Sequence, residues 1–367
     1  MTASVKQLAF YAPLKSPDHP VPSGDREIAQ SLMAALATNS LGLKVCLASQ
    51  LRCYDGQGDE SVQQNISDQA SVEIERMLAS AGNWQAWVTY HNYYKAPDLI
   101  GHAVSQRLQI PYLLIEASIA KSRLNGPWAD FAVKADAATA SADVVFYLTE
   151  RDRVALEQYR PEDQKLVHLA PFLNQTALPP DVAVQRKNKR LLAVGMHRYG
   201  DKLESYRIIA AALSHIETTD WQLHIIGDGP ARAEVESMFA PYGKQVEFLG
   251  QCDRDDVNIA YQQASVFVWP GVNEAFGMVY LEAQAAGLPV VAQDRPGVRE
   301  VIATSESLLP VGDPQSIART IDRLLASPSE HQSMAQAGRE FVSSRHLLDS
   351  AARTLSEQLV CLNNWPG

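Results

Sequence analysis

The chain has 367 residues, 46% of them hydrophobic and 20% charged, with a formal net charge of −10 at pH 7. This is globular composition with length for about two cores, and the acidic balance argues against nonspecific nucleic-acid binding while leaving room for a locally basic pocket. No apolar run approaches about 18 residues and no charged, then hydrophobic, leader opens the chain, so a cytoplasmic location is expected.

In chain order, the N-terminal half alternates strands and helices. Residues 5–11 read as a strand, 28–37 as a helix, 43–48 as a strand, 72–78 as helical and 87–90 as a strand, with 111–115 and 144–148 continuing the series. Cys46 and Cys53, like Cys252 and Cys361 later, lack metal-ligand spacing and read as reduced, structurally incidental thiols. A Pro-rich loop after the first strand ends in Ser23-Gly24-Asp25-Arg26 before a helix, where Ser23 or Asp25 suits an N-cap and Arg26 offers charge to an anion. His91 and Lys95 follow a strand and are expected to point into an interdomain cleft. A lone histidine there is more often structural, and Tyr93 and Tyr94 serve packing or sugar stacking equally well. Lys121 and Arg123 read singly as surface charge, with an anionic acceptor as the alternative.

Residues 170–174 mark a crossing and 177–188 a polar, Pro-containing linker. A second alternating series follows: a strand at 189–194, a helix carrying Tyr206, Ile209, Ala210 and Leu213, a strand at 221–226, a helix at 233–238, a strand at 246–249, a helix at 255–262 and a strand at 264–269. Residues 347–362 close the chain as a helix. Helices of this length between strands demand right-handed crossovers and parallel sheets, which predicts an α/β protein of two doubly wound domains. Ligands in such sheets lie off the carboxyl ends of the strands, where Gly195, Gly227, Leu249 and Glu274 all fall. No G-x-G-x-x-G run stands at a strand end, which weakens a nicotinamide reading.

The most informative stretch follows the strand at 264–269. Pro270 and Gly271 end it, and helical spacing runs from Phe276 through Val279, Tyr280 and Ala283 to Ala286, closed by Gly287 and Pro289. A helix beginning near Phe276-Gly277-Met278 presents free N–H groups and the positive dipole end, which favours a diphosphate. Glu274, just before it, suits sugar hydroxyls, and Glu282, about two turns in, suits a ribose diol. Taken alone, the pair reads as a cap and a surface charge. Upstream, Arg198 and Lys202 in the loop 195–202 are placed to neutralise a diphosphate, or to form a solvated basic loop, and His197 reads as an exposed loop residue, with a phosphate donor as the alternative. Asp253-Arg254-Asp255 spells a metal-diphosphate pattern, but directly before a helix it reads as a cap. No metal site and no cofactor are expected.

The run Asn273-Glu-Ala-Phe-Gly-Met-Val-Tyr-Leu-Glu282 and the residues through Ala292 resemble the E-x7-E donor signature of the family-four (group 1) retaining glycosyltransferases of the GT-B fold. The resemblance implies two Rossmann-like domains facing across a cleft. An acceptor domain would span 1–172, a nucleotide-sugar domain 173–345, and a terminal helix, 346–367, would return to the first. It assigns Glu274 to the transferred sugar, Phe276, Gly277, Met278 and Val279 to the donor phosphate and sugar, and Glu282 to the ribose. Lys202, with Arg198, would meet the leaving diphosphate, the backbone near Leu249 would hold the base, and residues 23–26 would form the flexible glycine loop. The family's histidine near the anomeric centre is replaced by Glu116, a candidate for acceptor positioning or oxocarbenium stabilisation.

The implied activity is metal-independent, retaining transfer from a UDP- or GDP-sugar to a hydroxyl acceptor that is carbohydrate, lipid-linked or a small molecule, in glycan or glycoconjugate biosynthesis. No nucleic-acid partner is expected, and a lipid acceptor would bring peripheral membrane contact. The rival readings are a nucleotide-sugar epimerase on the same fold, for which His91 and Glu116 are the acid/base candidates, and a catalytically silent nucleotide-sugar-binding subunit.

Overall fold

Short, apolar strand segments alternate with helices along the whole chain, and a computed structural model describes residues 6–21, 23–39, 41–80, 82–181 and 188–362. The first residue of the first expected strand, Val5, and half of the expected linker, residues 182–187, lie outside the described residues. Two compact units result: unit 1 comprises residues 1–170 with 348–367, and unit 2 residues 171–347. No described helix is long and apolar enough to cross a membrane.

Unit 1 runs β1 (Gln7–Tyr11), α1 (Gly24–Ala37), β2 (Lys44–Ser49), α2 (Glu60–Ser80), β3 (Trp84–Asn92), α3 (Gly101–Leu108), β4 (Tyr112–Ala117), α4 (Ala129–Ser141), β5 (Val144–Tyr147), α5 (Glu150–Tyr159) and β6 (Lys165–His168). Its six strands lie in the order β2-β1-β3-β4-β5-β6, all parallel. Leu8, Phe10, Trp87, Val88, Leu114 and Phe146 are wholly buried, the pattern of strands covered on both faces. The strand order reverses between β1 and β3, so the loops after these two strands diverge and leave a crevice at their carboxyl ends.

Unit 2 contains β7 (Arg190–Val194), α6 (Asp201–Leu213), β8 (Gln222–Ile226), α7 (Arg232–Phe239), β9 (Val246–Gly250), α8 (Arg254–Gln263), β10 (Val266–Val268), α9 (Met278–Ala285), β11 (Val290–Gln293), α10 (Pro296–Arg299), β12 (Leu308–Leu309), α11 (Pro314–Ala326) and α12 (Pro328–Arg345). The sheet order β12-β11-β10-β7-β8-β9 is the doubly wound Rossmann order, with its reversal between β7 and β10. The expected class, two parallel-sheet α/β units, is therefore the observed one.

The last helix, α13 (Leu348–Cys361), buries Leu348, Ala351, Ala352, Leu355 and Leu359 and packs on α1. At the start of unit 2, Leu173 N–H donates to His346 C=O at 2.8 Å, and His346 Nδ1 lies 2.6 Å from Pro171 C=O. The two points where the chain passes between units are thus tied side by side.

Candidate functional site

In unit 2 the chain reversal brings the loops after β7 and β10 together, and three side chains meet there. Lys202 Nζ bonds Glu274 Oε1, and the same oxygen accepts Trp269 Nε1–H at 2.9 Å. The Lys202 ammonium also sits 5.3 Å from the centre of the Trp269 ring. The indole is wholly buried, packed edge-on against Tyr206 at 5.1 Å, so its N–H is a fixed donor rather than a rotating one. Asn273, at φ 51°, ties the β10 loop to α6 through Asp201 at 3.0 Å, and Val272 N–H donates to Ser205 Oγ at 3.1 Å. The Glu274 carboxylate is therefore fixed at the reversal point, paired with a cation and not acting as a helix cap.

Gly277 is the residue that turns the chain into α9. Its φ of 79° is left-handed, and a Cβ there would lie 2.8 Å from the Tyr280 ring. The first bond back along the turn is Tyr280 N–H to Gly277 C=O at 3.1 Å, so Met278 and Val279 present the N–H groups that a helix start leaves to a ligand. The helix starts at Met278, the last of the three residues among which the sequence places its start, because Gly277 is outside helical geometry. Glu282 consequently stands little more than one turn in, not two. It is half-buried, and its Oε2 accepts the Tyr261 hydroxyl at 3.0 Å, which distinguishes it from a solvated surface charge.

The strand ends behind these groups touch backbone to backbone. A Cβ on Gly227 would come within 1.9 Å of Gly195 C=O, while the Gly195 carbonyl accepts the Tyr206 hydroxyl at 2.6 Å. Gly227 N–H donates to Gly250 C=O at 2.8 Å, which places Leu249 at the adjoining strand end. Arg198 is exposed, with no bond to Glu274 or Lys202. His197, read from sequence as an exposed loop residue, is buried instead. It stands edge-on to Tyr206 and Phe248, with both ring nitrogens unbonded and its pKa lowered by burial. Its place between half-buried Met196 and exposed Arg198 in a short loop hid this, because loop polarity carries no period. Asp253 caps α8, accepting Asp256 N–H at 2.9 Å. Trp269 and Tyr261 were missed as site residues, although a tryptophan ending an apolar strand beside Pro270 carries a polar handle that must find a partner when buried.

In unit 1, Ser23 caps α1 by accepting Arg26 N–H at 3.3 Å, Gly24 opens the helix, and Arg26 Nε donates to Pro17 C=O at 3.3 Å. Asp25 meets His91 across the β1/β3 reversal, with Oδ1 3.4 Å from Nδ1. His91 and Glu116 end the paired strands β3 and β4, side by side between the register pairs Tyr90 with Ile115 and Asn92 with Ala117. Both have left-handed backbones, φ 67° and 59°. Glu116 bonds the buried Tyr90 hydroxyl, and its Oε2 is buried without a hydrogen bond. Burial raises the Glu116 pKa, opposed by His91 and supported by Asp152 and Asp25. Burial pulls the His91 pKa down, but the carboxylates of Glu116, Asp25 and Asp152 outweigh it and the net shift is upward. Lys95 stands further out, 4.9 Å from the Trp128 ring centre.

The sequence of unit 2 has known counterparts. Residues 182–341 match the family model of the glycosyl transferases group 1. Over 190 residues, 48% of this chain and 39% of the relative, the chain is 30% identical to a D-inositol 3-phosphate glycosyltransferase of Streptomyces bingchenggensis. Over 172 residues, 46% of this chain and 45% of the relative, it is 31% identical to a phosphatidyl-myo-inositol mannosyltransferase of Mycobacterium leprae. The chain thus spans less than half the length of these two relatives. Among solved structures, Anabaena Alr3699/HepE in complex with UDP aligns at a TM-score of 0.73 with 16% identity, covering 97% of this chain and 100% of that one. Sucrose-phosphate synthase from Thermosynechococcus elongatus aligns at 0.70 with 18% identity, covering 97% and 98%. These likenesses show the fold, that of the GT-B glycosyltransferases.

Proposed function

Because residues 182–341 of this chain belong to the group 1 glycosyltransferases, we propose that the protein moves a sugar from a UDP- or GDP-sugar to a hydroxyl acceptor, with retention of configuration and without a metal ion. The observation that carries this reading is the convergence of Lys202, Glu274 and Trp269 beside the N-terminus of α9, at the topological reversal of unit 2. A diphosphate bound at the Met278 and Val279 N–H groups would draw the Lys202 ammonium from Glu274, leaving that carboxylate, still held by the indole, to accept hydroxyls of the transferred sugar. Arg198 reaches the leaving diphosphate from the exposed side, and Glu282, steadied by Tyr261, takes the ribose diol. Cationic and helix-terminal charge then does what a divalent ion does in other transferases.

Retention follows from a front-face path in which the departing phosphate accepts the acceptor's proton, so that no enzymic nucleophile is needed. Acceptor groups belong to unit 1: the residues 23–26, His91 and Glu116. Burial opposes and the carboxylates of Glu116, Asp25 and Asp152 favour the charged form of His91, with a net upward shift of its pKa, and Glu116 beside it supplies negative charge when ionised. Named relatives that act on inositol phosphate or phosphatidylinositol, and the UDP held by the Anabaena protein, support this class of donor and acceptor.

The test is turnover of UDP-, GDP- and ADP-sugars by the purified protein, with and without EDTA, beside Glu274→Ala. Release of one nucleotide that survives EDTA and is lost in the variant is expected, with the anomeric configuration of the product read by NMR. Loss of activity with EDTA removes the metal-free reading, and an inverted anomer removes retention. A rearranged sugar released without acceptor would establish the epimerase, while tight donor binding without turnover on any acceptor would establish the silent subunit.

A further inference from the structure

Beyond His91, the loops at the carboxyl end of the unit 1 sheet carry a continuous series of rings. His91 lies 4.8 Å from Tyr93, Tyr93 5.6 Å from Tyr94, and Tyr94 5.8 Å from Trp128, the last two pairs edge-on. Two cations share the outer pair. Lys95 Nζ is 4.9 Å from the Trp128 ring centre and 5.8 Å from that of Tyr94, and the Arg123 guanidinium is 5.1 Å from Tyr94 and 5.8 Å from Trp128. A third, Arg52, lies 4.6 Å above the Tyr54 ring.

None of Arg52, Lys95 and Arg123 has an ion pair with a described carboxylate, although the chain carries ten more acidic than basic residues. The neighbouring acids are committed elsewhere. Asp136 pairs with Lys121 at 2.7 Å and Asp130 with Lys134 at 2.7 Å. The buried Asp55 carboxylate accepts the N–H groups of Gln57, Gly58 and Asp59 and the Gln63 amide. The same residue fastens the platform, since Trp128 Nε1–H donates to Asp55 C=O at 3.0 Å and Asp55 N–H to Lys95 C=O at 2.9 Å. Two like charges held over one aromatic pair, with Asp55, Asp130 and Asp136 bonded elsewhere, repel each other, and an anion entering between them relieves that repulsion.

We propose that Lys95 and Arg123, seated on Tyr94 and Trp128, bind a phosphate group on the acceptor, with the rings stacking on its sugar or cyclitol face. This rests on the reading of unit 1 as the acceptor side. It specifies the acceptor class as phosphate-bearing and separates the anion contact from the groups around His91. Arginine gives the phosphate a two-pronged contact and lysine a point charge, the division of labour seen where both residues meet one dianion.

The experiment is calorimetric titration of the full chain with glucose 6-phosphate, glucose and UDP, and co-sedimentation with phosphatidylcholine vesicles with and without phosphatidylglycerol. The double variant Lys95→Met, Arg123→Met and the charge-keeping Lys95→Arg are measured alongside. Glucose 6-phosphate should bind, weaken as salt rises, weaken at least tenfold in the double variant, and be retained in Lys95→Arg, while UDP binding stays unchanged. Binding only to the phosphatidylglycerol vesicles, lost in the double variant, identifies the phosphate as a lipid headgroup and also supports the site. Equal binding of glucose and glucose 6-phosphate, undiminished anion binding in a folded double variant, or no binding to either phosphate source overturns it. UDP binding that fails in the wild type, with phosphate binding intact, counts against the donor site and not against this one.

Discussion

Replacing Trp269 by Phe isolates one of the two fixed contacts that the sequence reading overlooked. The substitution keeps an aromatic ring between Tyr206 and Gly195 but removes the N–H that reaches Glu274 Oε1 at 2.9 Å. A hydrogen bond to a charged group contributes about 1.5–3 kcal/mol, and at about 1.4 kcal/mol per decade that becomes roughly a 10- to 150-fold loss in kcat/KM if the bond is made in the transition state. The smaller ring also leaves a cavity at a wholly buried position, which costs about 1–3 kcal/mol of stability. Steady-state kinetics with the cognate donor and a thermal melt separate the two effects. The reasoning fails if Trp269→Phe retains kcat/KM within about twofold while Glu274→Ala abolishes it, because the carboxylate would then be positioned by Lys202 alone.

Tyr261→Phe removes the hydroxyl bound to Glu282 at 3.0 Å, and donor KM should rise several-fold with kcat nearly unchanged, as expected for contacts equal in ground and transition states; a fall confined to kcat would contradict a ribose role. Gly277→Ala forces a Cβ onto a left-handed residue 2.8 Å from the Tyr280 ring, costing about 1–2 kcal/mol for the backbone alone, and should lower both the melting temperature and UDP affinity by calorimetry. Since the folded pKa of His91 is raised, its protonation stabilises the protein below the ordinary histidine value, and that contribution disappears as pH rises through the folded value. The melting-temperature gap between wild type and His91→Asn, whose asparagine tolerates the left-handed backbone, should therefore be widest in mild acid and narrow toward alkaline pH; a gap that widens with pH would reverse the assignment.

The sheets were legible because buried parallel strands are written as apolar runs. Residues 264–269 and 111–115 needed no knowledge of their neighbours. α4 went unread because Ala129–Ser141 is rich in alanine, with little contrast between its faces. Only residues 72–78 of α2 were visible because Ile74, Met77 and Leu78 carry an apolar spacing there, whereas the buried residues of the first half, Gln63, Ile66 and Ala70, include only one large apolar side chain. At the candidate site, Glu274, Lys202 and Glu282 were recoverable from spacing and from a resemblance, and the structure brings Lys202 to Glu274. The partners that hold them were not, since Trp269 to Glu274 and Tyr261 to Glu282 are contacts set by where β10 and α8 pack. The left-handed backbones of His91 and Glu116 left no mark either, as glutamate does not favour such a turn and histidine's enrichment there is too weak to read at a single position.

The tie between Leu173 and His346 has a consequence for how the chain is made. Unit 2 is one uninterrupted segment whose ends are already joined, so residues 171–347 meet the condition for an autonomous insert and can fold as soon as they leave the ribosome. Unit 1 cannot finish then. The face of α1 that packs against α13 stays uncovered until α13, which lies beyond residues 171–347 in the chain, arrives. Of these two units, the one begun earlier is therefore completed later, and excising 171–347 should yield a folded half, whereas stopping synthesis before α13 should damage the other one.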